Sequence, residues 1–365
     1  MIRLIIYIDK TIGHKCEKQG LTQEEELFFG RLVVAHQRGE CLLCGNLGSL
    51  EWLSRCLSGP QSKLYKAVYA KYAEVRSIIG FVSSVLVITD GISPVIPTFI
   101  EGKQRILPLK EALEKDVASK CYLVGENLND CAFFTVMAKR YLHTLPIRGV
   151  RVNFSNENGG GDTINLVYKE CVTKDKRLTF CIADSDKKYG KTKEYRNEPG
   201  RGPTIVKLEK VHEELTKNRL DTICEVLCLP VHEVENLIPI TVLETICSTG
   251  VPEMAAGISF VKTLLAHNLD EAVLCYDFKN GDKKMNDLSC VAYWLDVLEK
   301  INCKRMPGIC KAKLLEKALA ILQDDSGEIT ALTANMAIDP YLIPLWESIG
   351  YNVFTWGCCN DPLRS

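Results

Sequence analysis

The chain has 365 residues, 46% of them hydrophobic and 25% charged, with a formal net charge of −1. That is ordinary globular composition with room for two or three domains, and its charge neither advertises nor excludes nucleic acid. Neither MIRLIIYIDK, broken by Asp9, nor IIGFVSSVLVITDG is long and apolar enough for a secretory core or a membrane span. A cytoplasmic protein with no membrane partner is therefore expected.

Residues 1–117 alternate apolar runs (RLIIYI, CLLCG, SSVLVIT) with amphipathic stretches (EEELFFGRLVVAHQ, SKLYKAVYAKYAEVRSIIGF). The alternation predicts an N-terminal α/β domain. ISPVIPTF and the charged LPLKEALEKDVASK then read as a connection. Residues 118–240 repeat the alternation: strand CYLVGE, helix DCAFFTVMAKRYLHTL, strand GVRVNFS, a loop at Gly159-Gly160-Gly161, helix DTINLVYKEC, strand RLTFCIADSD, helix TIVKLEKVHEELTKN and strand TICEVLCL. Strands alternating with helices predict βαβ units and a mainly parallel sheet. Residues 241–365 have helical apolar spacing in four stretches and end in the aromatic-rich PYLIPLWESIGYNVFTWGCC, expected to cover a core edge.

The 17 cysteines are odd in number and scattered through apolar runs, so buried thiols are expected rather than a disulfide framework. The single C-x-x-C, Cys41 to Cys44, has no second pair at zinc-site spacing.

Three apolar runs in the central segment end in carboxylates, where open parallel sheets bind ligands. Glu126 and Asp130 flank a turn, and Asp130 also suits a helix cap. Asp184 and Asp186 are alternate residues, which on an extended strand face the same side. Glu233 and Glu235 repeat that spacing, with an ordinary charged turn as the alternative. Oxygen donors gathered this way suit Mg²⁺ or Mn²⁺, which would relieve their repulsion. After Asp186 comes a basic stretch (Lys187, Lys188, Lys191, Lys193, Arg196, Arg201) suited to phosphate, diluted by Glu194 and Glu198. Tyr189 and Tyr195 within it are either stacking platforms for bases or plain surface residues.

On these residues the central segment resembles the Toprim family, and most of all nucleases of the overcoming-lysogenization-defect type. The family's first strand ends in Glu followed by Gly-x-x-Asp or similar, and here it reads Glu126-Asn127-Leu128-Asn129-Asp130. Its later Asp-x-Asp is matched by Asp184-Ser185-Asp186, and the further acidic motif of the nuclease branch by Glu233 or Glu235. The glycines 159–161 fall near the family's turn after its second strand. The resemblance covers about a third of the chain. It implies a Toprim-like catalytic domain over 118–240 with a mainly helical domain over 241–365. It also implies a metal-dependent nuclease for DNA or RNA, with Glu126, Asp184, Lys187 and Lys188 catalytic and the six carboxylates as Mg²⁺ or Mn²⁺ ligands. No Walker-type phosphate loop occurs in the chain, so any ATPase is expected as a separate partner protein, as in anti-phage defence systems. Self-association into a homo-oligomer stays open.

Two alternatives accompany that expectation. One is a non-catalytic binding or regulatory subunit with a degenerate acidic site. The other moves the nuclease site to the strand-end Asp9 and Asp90, with Glu24, Glu25 or Glu26 between them, in the manner of PIN-like ribonucleases. His232, beside Glu233, is a candidate general acid/base, with a surface position as the plainer expectation.

Overall fold

The computed structural model describes residues 5–91, 102–189, 202–249, 254–284, 288–309 and 313–362. The chain is α/β, with two four-stranded parallel sheets flanked by helices. The first contains β1 (Ile5–Ile8), β2 (Leu43–Gly45), β3 (Ser84–Thr89) and β4 (Lys103–Pro108), in the order β2-β1-β3-β4. β1 and β3 are buried along their whole length, as continuous apolar runs covered on both faces should be. β4 was not anticipated, because KQRILP falls within the expected connection and is half polar. It is an edge strand in which only Arg105 and Leu107 are buried. ISPVIPTF lies outside the described residues.

The second sheet contains β5 (Tyr122–Gly125), β7 (Ser155–Asn158), β8 (Thr179–Ala183) and β9 (Cys224–Cys228). Their order is β7-β5-β8-β9, all parallel, with Leu123 opposite Phe180 and Phe180 opposite Glu225. The expected strand GVRVNFS is in fact divided. β6 (Val150–Val152) pairs antiparallel with β10 (Cys358–Asn360), and β7 enters the sheet two residues later as the polar edge strand SNEN.

Helices cover the rest of the expected amphipathic stretches, and the third segment is helical at Ile240–Ser248, Ala255–Ala266, Leu288–Lys300 and Leu314–Leu322. The final aromatic stretch forms the helix Ile343–Gly357, which lies along the helix Leu128–Thr144. Trp356 stacks on Phe180 of β8 (centroids 5.5 Å apart, planes 4° apart) and lies 5.0 Å beneath the guanidinium of Arg105. Arg105 in turn donates to Glu225 and to the carbonyls of Asp221 and Cys224. One buried arginine thus joins β4 to β9, so the two sheets share a continuous apolar core. The described cysteines are free thiols within or beside that core. No helix among the described residues is long and apolar enough to cross a membrane.

Candidate functional site

In both sheets the second strand lies on one side of the first and the third on the other. The crossovers therefore diverge between the first and third strands, opening a crevice at their carboxyl ends. In the second sheet those strands are β5 and β8, and Glu126 and Asp184 are the residues that follow them. The Asp184 backbone favours the charged form of the Glu126 carboxylate, so the two strand ends are electrostatically coupled.

The glycines after β7 hold Glu126 from behind. Gly160 and Gly161 donate their N–H groups to the Glu126 carbonyl (3.0 and 3.3 Å), and both lie in the left-handed region (φ 67° and 61°). A β-carbon on Gly159 would meet the Gly125 carbonyl oxygen at 2.7 Å. Asn127 caps the following helix and Asp130 closes the capping box: the Asp130 carboxylate accepts the Asn127 amide (3.0 Å), while Asn127 Oδ1 accepts the Asn129 and Asp130 amides.

Strand geometry does not place Asp186. β8 ends at Ala183, and Asp186 has φ 53°, so the expected same-side alternation is broken. Its amide donates to the His232 carbonyl (3.0 Å), and its carboxylate lies against Gly202, where a β-carbon would clash. Ser185 between the acids is buried and donates to the Val231 carbonyl. The β8 end is thereby tied to the segment carrying Glu233.

Glu233 and Glu235 do not continue a strand either. β9 ends at Cys228, and these acids begin a short 3₁₀ turn, Val234–Leu237. Asn236, fully buried, fixes that turn. Its Oδ1 accepts the Glu233 amide (3.0 Å), and its Nδ2 donates to the carbonyls of Val273 (2.9 Å) and Tyr276 (2.8 Å). The loop after Tyr276 then delivers Lys279, whose Nζ is 2.9 Å from both Glu233 and Glu235. In the sequence Asn236 has no role beyond its place beside the two acids, and nothing points to Lys279. Lys279 lies far along the chain, in no recognisable motif, and the Asn236 bridge and the His232 amide bond to the Leu274 carbonyl (2.8 Å) hold its loop here.

The carboxylates act on one another. Burial raises the Glu126 pKa, and the charge of Asp186 raises it further. Asp184 is held well above the usual carboxylate range by burial, then by Glu126, Asp130, Glu235 and Glu233. Burial pushes Asp130 up to about 7, with Glu235 and Glu126 contributing, and Glu233 to about 7, with Glu235 contributing. Burial opposes the charge on Lys279, but Glu233 and Glu235 outweigh it and keep the ammonium protonated. Glu233 Oε1 and Glu235 Oε2 are buried with no hydrogen-bond partner. Among the described residues no three His, Cys, Asp or Glu side chains stand close enough to hold a metal ion as arranged. The donor set still suits a hard divalent cation in kind, and the orphaned oxygens are uncompensated. Lys279 occupies the space between two of the acids, so closing the set around an ion requires side-chain rotation.

The expected phosphate-binding lysines are placed differently. Lys187 pairs with Glu271 (3.3 Å), and Lys188 is exposed at the rim of a cavity beside the acids. Tyr189 is buried against Tyr293, which removes it as a stacking platform. Lys191, Lys193, Glu194, Tyr195, Arg196, Glu198 and Arg201 lie outside the described residues. His232 is buried, contrary to a surface position. Its Nδ1 is 3.1 Å from the Lys187 carbonyl and its Nε2 is 3.9 Å from Asp277, with burial keeping the imidazole neutral.

The first sheet carries Asp9 after β1 and Asp90 after β3, at its own crossover divergence. Asp9 is fully buried and caps the next helix, accepting the Thr11 amide (2.9 Å) and hydroxyl (2.7 Å). Lys15 stands 3.4 Å from Glu25 and 3.7 Å from the exposed Asp90. Asp9 is thus engaged as a cap, and a lysine already answers the other two acids. Comparison with family models, with curated proteins and with solved structures gives no match.

Proposed function

We propose that this chain is a metal-dependent phosphodiesterase whose site lies at the β5/β8 crevice. More particularly, it reads as a nuclease of Toprim type, similar to those of the overcoming-lysogenization-defect class, acting on DNA or RNA. The observation that carries this reading is the pairing of Glu126 and Asp184 at the adjacent ends of β5 and β8, with four further carboxylates electrostatically joined to them. Such an array costs the fold stability, which ordinary surface acids do not. Glu126, Asp184 and Asp186 would hold Mg²⁺ or Mn²⁺, with Glu233 and Glu235 joining. The ion would supply a water of lowered pKa and counter-charge for the leaving oxygen. The chain's own part is to hold Glu126 through the glycine loop, to tie the segment after Asp184 to Val231 through Ser185, and to keep a cation near the acids through Lys279. A separate ATPase partner and a role in anti-phage defence come from the resemblance alone.

The test is cleavage of single- and double-stranded DNA and RNA in Mg²⁺ or Mn²⁺. Glu126→Gln and Asp184→Asn should each remove activity by at least about a hundred-fold, typical of losing a preorganised charge, while Asp9→Asn keeps it. Full activity in both central variants sinks the assignment, and loss only in Asp9→Asn transfers it to the first sheet. One observation favours a second reading, a non-catalytic subunit: Lys279 already pairs with both Glu233 and Glu235. Calorimetry that detects no Mg²⁺ or Mn²⁺ binding to the folded chain would favour that alternative.

A further inference from the structure

A cavity of about 370 Å³ opens directly beside the acids, within the roughly 300–1,000 Å³ of small-molecule sites. Its floor is Cys275, Cys290, Trp294 and Met306, each no more than 3% exposed. Asp277 and Asn280 form a polar wall together with His232 and Lys279, and Asp186 and Glu233, two of the site's acids, line the cavity as well. The wall is built rather than incidental. The Asp277 carboxylate accepts the amides of Lys279 (3.0 Å) and Asn280 (2.7 Å) and both contacts of the Asn280 side-chain N–H₂ (3.1 and 2.9 Å). Trp294 is locked by its Nε1 donating to the Lys188 carbonyl (2.9 Å).

An apolar floor, an acceptor-bearing wall and acids shared with the proposed phosphodiester site describe a slot for a flat, part-polar group attached to a phosphate. We infer that this cavity receives one nucleobase, unstacked from its strand, next to the phosphate at the carboxylates. The inference rests on the nuclease reading for the phosphate beside the cavity and names its substrate class: a nucleotide in a single strand, loop or flipped position. A paired and stacked base cannot enter such a pocket without leaving its helix. The base edge carrying an amino group would donate to Asp277, and the base faces would be covered by apolar side chains.

The test is calorimetry on the full chain in Mg²⁺ with adenosine 5′-monophosphate, ribose 5-phosphate and adenosine as probes. It is repeated with Cys275→Phe and Met306→Phe, each of which fills the cavity and is checked for folding by circular dichroism. The nucleotide should bind at least about ten-fold tighter than ribose 5-phosphate, the worth of one buried base. That advantage should vanish in either folded variant. Equal binding of nucleotide and ribose 5-phosphate overturns the inference, as does undiminished nucleotide binding in both filled variants. Adenosine binding without Mg²⁺, lost on filling the cavity, upholds the pocket even where Mg²⁺ itself fails to bind and the nuclease reading falls.

Discussion

Lys279→Met removes the ammonium between Glu233 and Glu235 while keeping most of the side-chain bulk. In the native arrangement two charge-assisted contacts of 2.9 Å offset the mutual repulsion of two carboxylates that are 8% and 7% exposed. Truncating one partner of a fully buried pair costs about 3–5 kcal/mol. The Lys279 side chain is 42% exposed, so solvent screens part of its charge and a loss of about 2 kcal/mol is the expected scale. The assay is urea denaturation in EDTA at neutral pH, with the midpoint moved and the slope kept. Mn²⁺ should reverse the order. With Lys279 gone, Glu233 and Glu235 become available to a divalent ion, and a ligand at a hundred times its dissociation constant stabilises by about 2.7 kcal/mol. Mn²⁺ should therefore stabilise Lys279→Met more than the wild type. A variant as stable as wild type in EDTA and indifferent to Mn²⁺ would refute the claim that Lys279 stands in for a cation.

The carboxylates should also leave a signature in pH. The folded-state pKa of Asp130 is raised from 3.8 to about 7, mainly by burial, so the native chain holds a proton that the unfolded chain releases. Its contribution is fully present below about pH 4 and is lost as pH rises through 7, up to about 4 kcal/mol at 1.36 kcal/mol per unit. Stability in EDTA should fall over that window, and Asp130→Asn should flatten the fall; an unchanged slope in the variant contradicts the burial argument. Asn236→Ala should cost about 3 kcal/mol in urea denaturation, because it leaves the buried Val273 and Tyr276 carbonyls without a donor. It should also remove the added loss seen on Lys279→Met, since Lys279 is no longer held at the acids. A cost under about 0.5 kcal/mol, the scale of an ordinary surface substitution, would show that the bridge does not position the loop.

Hydrophobic patterning reveals the buried strands and little of the edges. β5 and β8 are apolar runs enclosed on both faces, so their ends, and hence Glu126 and Asp184, could be located from periodicity alone. β4 and β7 escaped because an edge strand needs little apolar surface: SNEN is polar throughout, and KQRILP buries an arginine. The same limit divided GVRVNFS, where apolar spacing cannot tell which of two sheets a strand joins. The spacing of Asp184 to Asp186 and of Glu233 to Glu235 suggested strand alternation. The residues do act on one another electrostatically, but through a left-handed Asp186 and a 3₁₀ turn, which depend on long-range hydrogen bonds. Lys279 was illegible for the same reason. Its position depends on long-range hydrogen bonds, among them one buried asparagine holding two carbonyls some 40 residues away (Asn236 to Tyr276).

The most direct measurement is Mn²⁺ titration of the folded chain by calorimetry, comparing wild type with Glu126→Gln and Asp184→Asn. Binding in the wild type, weakened at least about ten-fold in each variant with unfolding profiles preserved, is the predicted result. Absence of binding in the wild type, or equal binding in all three proteins, would contradict a metal site at the β5/β8 crevice.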